Sequence, residues 1–226
     1  MYAIALAGQK GGSGKSTMAI SLAAECLARG WRVLLVDADT QGTARTWGEV
    51  ATQAGHQAPT VVAMGANLYR EGQLPALAKG FDLAFIDCPP RLSEVQRAAL
   101  MAADLAILPS GPSATDVWAL AESVELVRAA QQLRPALVFV AVVTRRVPGT
   151  VIGREARDAL KEAGVPVARS ELGFRVAYQE APGAGLGVTR YDPTGEAAAE
   201  VRALTDEVLA LVGLPPTPKK TKPRRK

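Results

Sequence analysis

Short, almost uninterrupted apolar runs recur along the chain and alternate with longer stretches in which apolar residues return every three or four positions. A run with no polar face predicts a strand buried on both sides, and a period near 3.6 predicts a helix with one buried stripe. Strands are predicted over 2–7, 32–36, 83–86, 105–108 and 137–143, with shorter ones near Val61 and Val167. Helices are predicted over 16–29, 43–54, 93–103, 113–133, 151–163 and 194–212, the last stopped by Pro215 and Pro216. Such alternation predicts an α/β fold, a doubly wound, mostly parallel sheet with helices on both faces. The segment Gly183-Ala-Gly-Leu-Gly187 is predicted to be a glycine-rich loop, with no strand running in and no helix opening from it.

Composition narrows the picture only at the C-terminal end. The 226 residues are 48% hydrophobic and 21% charged, ordinary for one soluble α/β domain, and the 5% aromatic content argues against a surface built for stacking bases. We place that domain at 1–214 and a basic, proline-containing disordered tail at 215–226. The last eight residues hold six of the 26 basic residues, leaving 20 basic against 22 acidic elsewhere. A polyanion partner is therefore suggested by the tail and not by the body. No apolar run reaches the roughly 18 residues needed to span a bilayer. Cys26 and Cys88 match no metal-ligand spacing and read as buried thiols in a reducing cytosol. His56, the only histidine, has no second ligand or nucleophile near it and reads as an incidental surface residue.

The chemistry lies at three predicted strand ends, where open α/β sheets bind their ligands. The first strand runs into Gln9-Lys-Gly-Gly-Ser-Gly-Lys-Ser-Thr17, which nearly fits the phosphate-loop pattern G-x-x-x-x-G-K-[ST]. Gln9 stands where that pattern has its first glycine, and Lys10 is an additional lysine five residues before Lys15. Gly11, Gly12 and Gly14 let backbone amides turn toward phosphates, and the helix that follows presents its positive dipole end. Lys15 would neutralise the outer phosphates, and the Ser16 hydroxyl would complete Mg²⁺ coordination. The second strand delivers Asp37 and Asp39, two residues apart and so on one face of an extended chain. The third ends in Asp87, the residue type that holds Mg²⁺ through its water shell.

Lys10-Gly-Gly-Ser-Gly-Lys-Ser-Thr17, Asp37-Ala-Asp-Thr-Gln-Gly42 and Phe85-Ile-Asp-Cys-Pro-Pro90 resemble the deviant Walker A, switch I and Walker B/switch II motifs of the ParA/MinD ATPases. These are P-loop NTPases, and motif order and length fit the small, ParF-like ParA type across essentially 1–212. The resemblance implies a homodimer with two ATP molecules sandwiched between the subunits, Lys10 reaching the partner's nucleotide as a finger in trans. Catalysis would then rest on Lys10, Lys15 and Asp39, with Asp39 orienting the attacking water. ATP or ADP would be bound by Gly11, Gly12, Ser13, Gly14, Lys15, Ser16 and Thr17, with base contacts from Thr144, Arg145 and the Glu180-Ala-Pro182 turn. Ser16, Asp37 and Asp87 would serve Mg²⁺. An acceptor-only carboxylate near phosphates is also repelled by them, which implies slow basal turnover.

Within that family the first strand is predicted to begin at residue 2, so the helix-turn-helix domain of the larger partition ATPases is not expected before it. The last helix carries Glu196, Glu200, Asp206 and Glu207 against Arg202, an acidic face that anionic lipid would repel, so a MinD-like membrane helix is not expected. The partition type implies non-specific DNA binding, for which Arg169, Arg175, Arg190, Arg202, Lys219 and Lys220 are candidates, and a ParB-like centromere-binding or cargo adaptor. The implied location is cytoplasmic and nucleoid-associated. Plasmid DNA is the favoured cargo. Chemotaxis clusters, carboxysomes, a MinD-like role or a small-molecule enzyme such as dethiobiotin synthetase are the alternatives. A nitrogenase-type iron protein lacks its cluster cysteines here, and a bacterial tyrosine kinase its tyrosine-rich tail.

Overall fold

In chain order the secondary structure reads β1 (Tyr2–Leu6), α1 (Lys15–Ala28), β2 (Val33–Asp37), α2 (Thr43–Gln53), β3 (Thr60–Ala63), α3 (Leu74–Leu77), β4 (Leu83–Asp87), α4 (Glu94–Ala102), β5 (Leu105–Ser110), α5 (Ala114–Leu133), β6 (Val138–Val143), α6 (Val151–Glu162), α7 (Ala177–Gly183), α8 (Val188–Tyr191) and α9 (Glu196–Leu211). These elements come from a computed structural model that describes residues 1–91, 93–147 and 150–218. The strands form one sheet in the order β3-β2-β4-β1-β5-β6, and every pair is parallel. Chain direction across the sheet reverses at β1, so the segment leaving its C-terminal end lies at the switch point where such sheets bind ligands.

The uniformly apolar strands have the predicted cause. Alternate residues of each face opposite layers, and both layers are dry. Ala3, Ala5, Leu34, Val36, Ala84 and Ile86 pack with α4 and α5, while Ile4, Leu6, Val33, Leu35, Leu83 and Phe85 pack with α1, α2 and α9. The doubly wound reading therefore holds, with helices on both faces. The short strand near Val61 is β3, an edge strand. The one near Val167 is not a strand: Val167 makes a single parallel bridge to Ala141, because the chain turns away before a second pair can form.

Sequence periodicity misses three short helices, α3, α7 and α8, none longer than seven residues. Two of them correct the reading of the glycine-rich segment, since α7 ends at Gly183 and α8 opens with Gly187 as its N-cap. The glycines serve close packing. Gly185 (φ +68°) lies so near α2 that a Cβ would stand 2.7 Å from the Cα of Ala51, and at Gly187 a Cβ would meet Ala24 of α1 at 2.5 Å.

Helix α9 packs on the body through Val201, Leu204, Val208 and Leu209, and several of its carboxylates are also tied to the body. Asp206 pairs with Arg29, Glu196 with Arg175, and Glu207 accepts the N–H groups of Arg169 and Ser170 at 2.8 and 2.9 Å. These backbone bonds hold the Glu207 carboxyl below its usual range despite the opposing effect of burial. The chain beyond α9 stays on the body as far as residue 218: Leu214 packs on the core and Pro218 lies beside Gly30. No helix among the described residues is long and apolar enough to cross a membrane.

Candidate nucleotide site

The loop between β1 and α1 bends through Gly12 (φ +71°) and Gly14 (φ +98°), left-handed positions that only glycine adopts without strain. Gly14 is the N-cap of α1, which leaves the first N–H groups of that helix free to point at an anion. Gly11 needs no such conformation.

The two lysines of this loop are placed differently. Lys15 is buried, 6% exposed, and its Nζ donates to the Lys10 carbonyl at 3.0 Å. Burial lowers its pKa, an effect opposed by Asp87. Lys10 has 42% of its side chain exposed, and its Nζ donates to Asp116 at 2.6 Å.

The loop is held from two sides. The Thr144 hydroxyl, at the end of β6, lies 3.0 Å from the Ser13 carbonyl and 3.2 Å from that of Ser110 and donates toward both. Gln96, fully buried on α4, donates from Nε2 to the carbonyls of Gly8, Pro89 and Arg91, at 3.0, 2.6 and 2.8 Å. One amide thus fastens the segment after β4 to the phosphate loop. Ser113-x-x-Asp116 is a capping box legible in the sequence. The meeting of Asp116 with Lys10 and the role of Gln96 are not, because each spans some 90 to 110 residues.

The two strand-end carboxylates are neighbours. Parallel register sets Asp37 of β2 directly beside Asp87 of β4. Asp37 is 2% exposed and accepts the N–H groups of Asp39 and Arg45, at 3.2 and 2.9 Å, so it caps α2. Asp39 does not share a strand face with it, because β2 ends at Asp37 and Asp39 sits in the following turn, half-buried, where it accepts from the Gln41 N–H at 3.0 Å. Asp87 is fully buried, and neither of its carboxylate oxygens has a hydrogen-bond partner. Burial pushes its pKa up to about 7, with Asp37 and Asp39 adding to the shift and the nearby Ser16 hydroxyl and Lys15 opposing it.

A cavity of about 210 Å³ opens from the loop. One wall is Gly12, Gly14, Thr17 and Met18, and the other contains Thr144, Arg145 and, from the segment Leu172 to Gln179, all but Val176 and Ala177. Thr144 and Arg145 thus line this cavity beside the loop. The Glu180-Ala-Pro182 turn is not in the wall: it is helical, part of α7, and Glu180 accepts from the Tyr191 hydroxyl at 2.8 Å. The residues missed, Leu172 to Gln179, form a coil and one helical turn with no periodic pattern.

This wall hangs on Glu200 of α9, which accepts from the Gly173 N–H, the Arg175 guanidinium and the Tyr178 hydroxyl at 2.8–2.9 Å. Glu200→Ala should therefore leave the sheet intact but loosen the wall. Nucleotide binding measured by calorimetry should weaken about 10-fold, the equivalent of about 1.4 kcal/mol. The arrangement also corrects the reading of Arg175 as a DNA contact, because its charge is taken up by Glu196 and Glu200 inside the nucleotide wall. Arg169 and Arg190 are exposed, and Arg202 is half-buried against the Pro193 carbonyl. Lys219 and Lys220 lie outside the described residues.

A glycine-turned loop at a helix N-terminus, a buried lysine and two paired carboxylates agree with comparison to known proteins. Residues 4–201 match the family described as CbiA, the CobQ/CobB/MinD/ParA nucleotide binding domain. The chain belongs to this family. It is 33% identical over 215 residues to the maintenance of carboxysome distribution protein A of Gloeobacter kilaueensis, covering 91% of this chain and 93% of the relative. It is 32% identical over 240 residues to the chromosome-partitioning ATPase Soj of Thermus thermophilus, covering 92% and 96%. The solved septum site-determining protein MinD of Pyrococcus horikoshii, complexed with Mg-ADP, superposes with a TM-score of 0.73 at 19% identity over 94% of this chain and 97% of that one. At that identity the likeness concerns the fold, a MinD/ParA-type P-loop sheet. The resemblance read from the three motifs is therefore correct at the level of family, and its ParA-like relatives include both a partition ATPase and a carboxysome-distribution protein.

Proposed function

We propose that the protein is a ParA-like ATPase, an ATP-dependent dimerising switch that binds DNA without sequence preference and segregates or positions a cargo when an adaptor stimulates hydrolysis. The observation that carries this reading is the division between the two lysines of one loop. Lys15 is buried, whereas 42% of the Lys10 side chain is exposed and its Nζ rests on Asp116, a contact it would give up to meet a nucleotide held by a second subunit.

The residues present suit Mg²⁺. Asp87 offers two buried, unpartnered oxygens beside Asp37, with Ser16 at the start of α1. Among the described residues no group of three or more His, Cys, Asp or Glu could hold a metal alone, so nucleotide and water would supply the remaining ligands. Bound there, the ion would neutralise phosphate charge. Ser16 would contact it directly, Asp87 would order its water shell, and Asp37 would keep α2 and the turn before it in place. That turn carries Asp39, whose carboxylate would orient the attacking water. Its repulsion from the phosphates favours slow basal turnover.

DNA contacts are assigned to Arg169, Arg190 and Arg202, with Lys219 and Lys220 of the basic end. DNA with a ParB-like adaptor is the favoured cargo. The carboxysome-distribution relative supports a protein compartment as the second reading. The test is anisotropy of a random-sequence duplex with ATP or ADP and Mg²⁺, using Asp39→Ala to slow hydrolysis. Binding should require ATP and should fall by about 0.9 log units per log unit of salt for each phosphate neutralised. Equal binding with both nucleotides would remove the switch.

A further inference from the structure

Asp116 is a buried carboxylate in the first turn of α5, 7% exposed, and it faces four donors. Its Oδ2 accepts from the Ser113 N–H at 3.2 Å and the Ser113 hydroxyl at 2.6 Å. Its Oδ1 accepts from Lys10 Nζ at 2.6 Å and from Arg145 Nη2 at 3.1 Å. The space is closed, since a Cβ on Gly111 would collide with both the Asp116 carboxylate and the Arg145 guanidinium. Capping α5 needs only Ser113 and Asp116. The convergence of two cations on the other oxygen, from loops some 135 residues apart, has no part in that cap.

We propose that Asp116 is a keeper of Lys10: in the subunit alone it holds the lysine against its own body, and dimerisation requires the lysine to leave. This rests on the trans role of Lys10 and adds to it a defined resting place and an energetic threshold. Charge arithmetic makes the contact releasable. A buried carboxylate stripped of its sole cation is strongly destabilised, which would make the threshold prohibitive. Here Arg145 remains on the same oxygen, so departure of Lys10 turns a cluster of one anion and two cations into a balanced pair. The two cations also repel each other across Oδ1, which weakens the hold further. Because Arg145 lines the nucleotide cavity as well, the keeper and the ligand site share a wall residue. Asp116 is thus a positioning residue, acting on the reaction through Lys10.

The test uses Asp116→Asn, which removes the charge and keeps the shape, together with Ser113→Ala, which removes the cap and keeps the charge. In an Asp39→Ala background with ATP and Mg²⁺, sedimentation equilibrium should show Asp116→Asn tightening the dimer five- to tenfold. Ser113→Ala should stay within about twofold. The gain should vanish when Lys10→Ala is added. A second readout needs no substitution: in the ADP-bound wild-type protein, amine acylation followed by mass spectrometry should modify Lys10 more slowly than the exposed Lys79 and Lys161. Asp116→Asn should erase that difference. Equal acylation in the wild type overturns the keeper, as does a dimer unchanged or weakened by Asp116→Asn while Lys10 becomes reactive. Should Lys10→Ala alone dimerise like the wild type, the trans role itself fails, and the acylation rates then report on the resting contact separately.

Discussion

Lys15→Ala is expected to abolish productive nucleotide binding, raising the Kd for ATP at least about 100-fold and reducing hydrolysis by 10²–10³ or more. Calorimetric titration and a phosphate-release assay would measure the two. The size follows from the environment. Lys15 is almost fully buried at the start of α1, and its charge is held in a site that already disfavours it, as the lowered pKa indicates. A preorganised charge in a dry site acts on phosphates far more strongly than one in water. Helix N–H groups alone would remain to bind them. The same burial means that removing the ammonium eliminates a desolvation cost, so the thermal midpoint should change by no more than a few degrees. Lost binding in a chain that melts normally identifies Lys15 as a ligand-facing charge, and unaltered binding would remove the phosphate-loop assignment.

Much of this site was legible because its residues are local in sequence. Glycines at positive φ, a lysine and a hydroxyl at a strand-to-helix junction, and carboxylates at strand ends are fixed by backbone geometry within a few residues. The strands themselves were legible because both faces are buried, leaving no polar positions to confuse the pattern. What escaped was non-local or aperiodic. The nucleotide wall from Leu172 to Gln179 is coil leading into a short helix, and it gains its order from Glu200, more than 20 residues away on α9. The partners of the α9 carboxylates were not legible, because spacing reports which side of a helix a residue occupies, never what lies across from it. The pairing of Asp37 and Asp39 failed for a smaller reason: strand β2 ends at Asp37, two residues short of Asp39, so the alternation rule does not reach it.

Lys10→Ala is expected to leave ADP binding by the single subunit within about threefold of wild type, yet to eliminate the ATP-dependent dimer and lower stimulated hydrolysis by 10³–10⁵, the usual worth of a charge supplied in trans to phosphoryl transfer. Folding should be little affected, because Arg145 still neutralises Asp116. The decisive measurement is complementation. An Asp39→Ala subunit keeps Lys10 but cannot orient water, and a Lys10→Ala subunit keeps Asp39 but lacks the finger. Each alone should be inactive. Mixed with ATP, Mg²⁺ and DNA, they should regain hydrolysis, since the Lys10→Ala site can borrow a lysine from its partner. If Lys10 served only its own nucleotide, no mixture could assemble a complete site, and activity would stay at the level of the separate variants. The partly exposed position of Lys10 is compatible with the first outcome, because 42% of its side chain is open to solvent and its one contact, to Asp116, can be given up while Arg145 still balances that carboxylate.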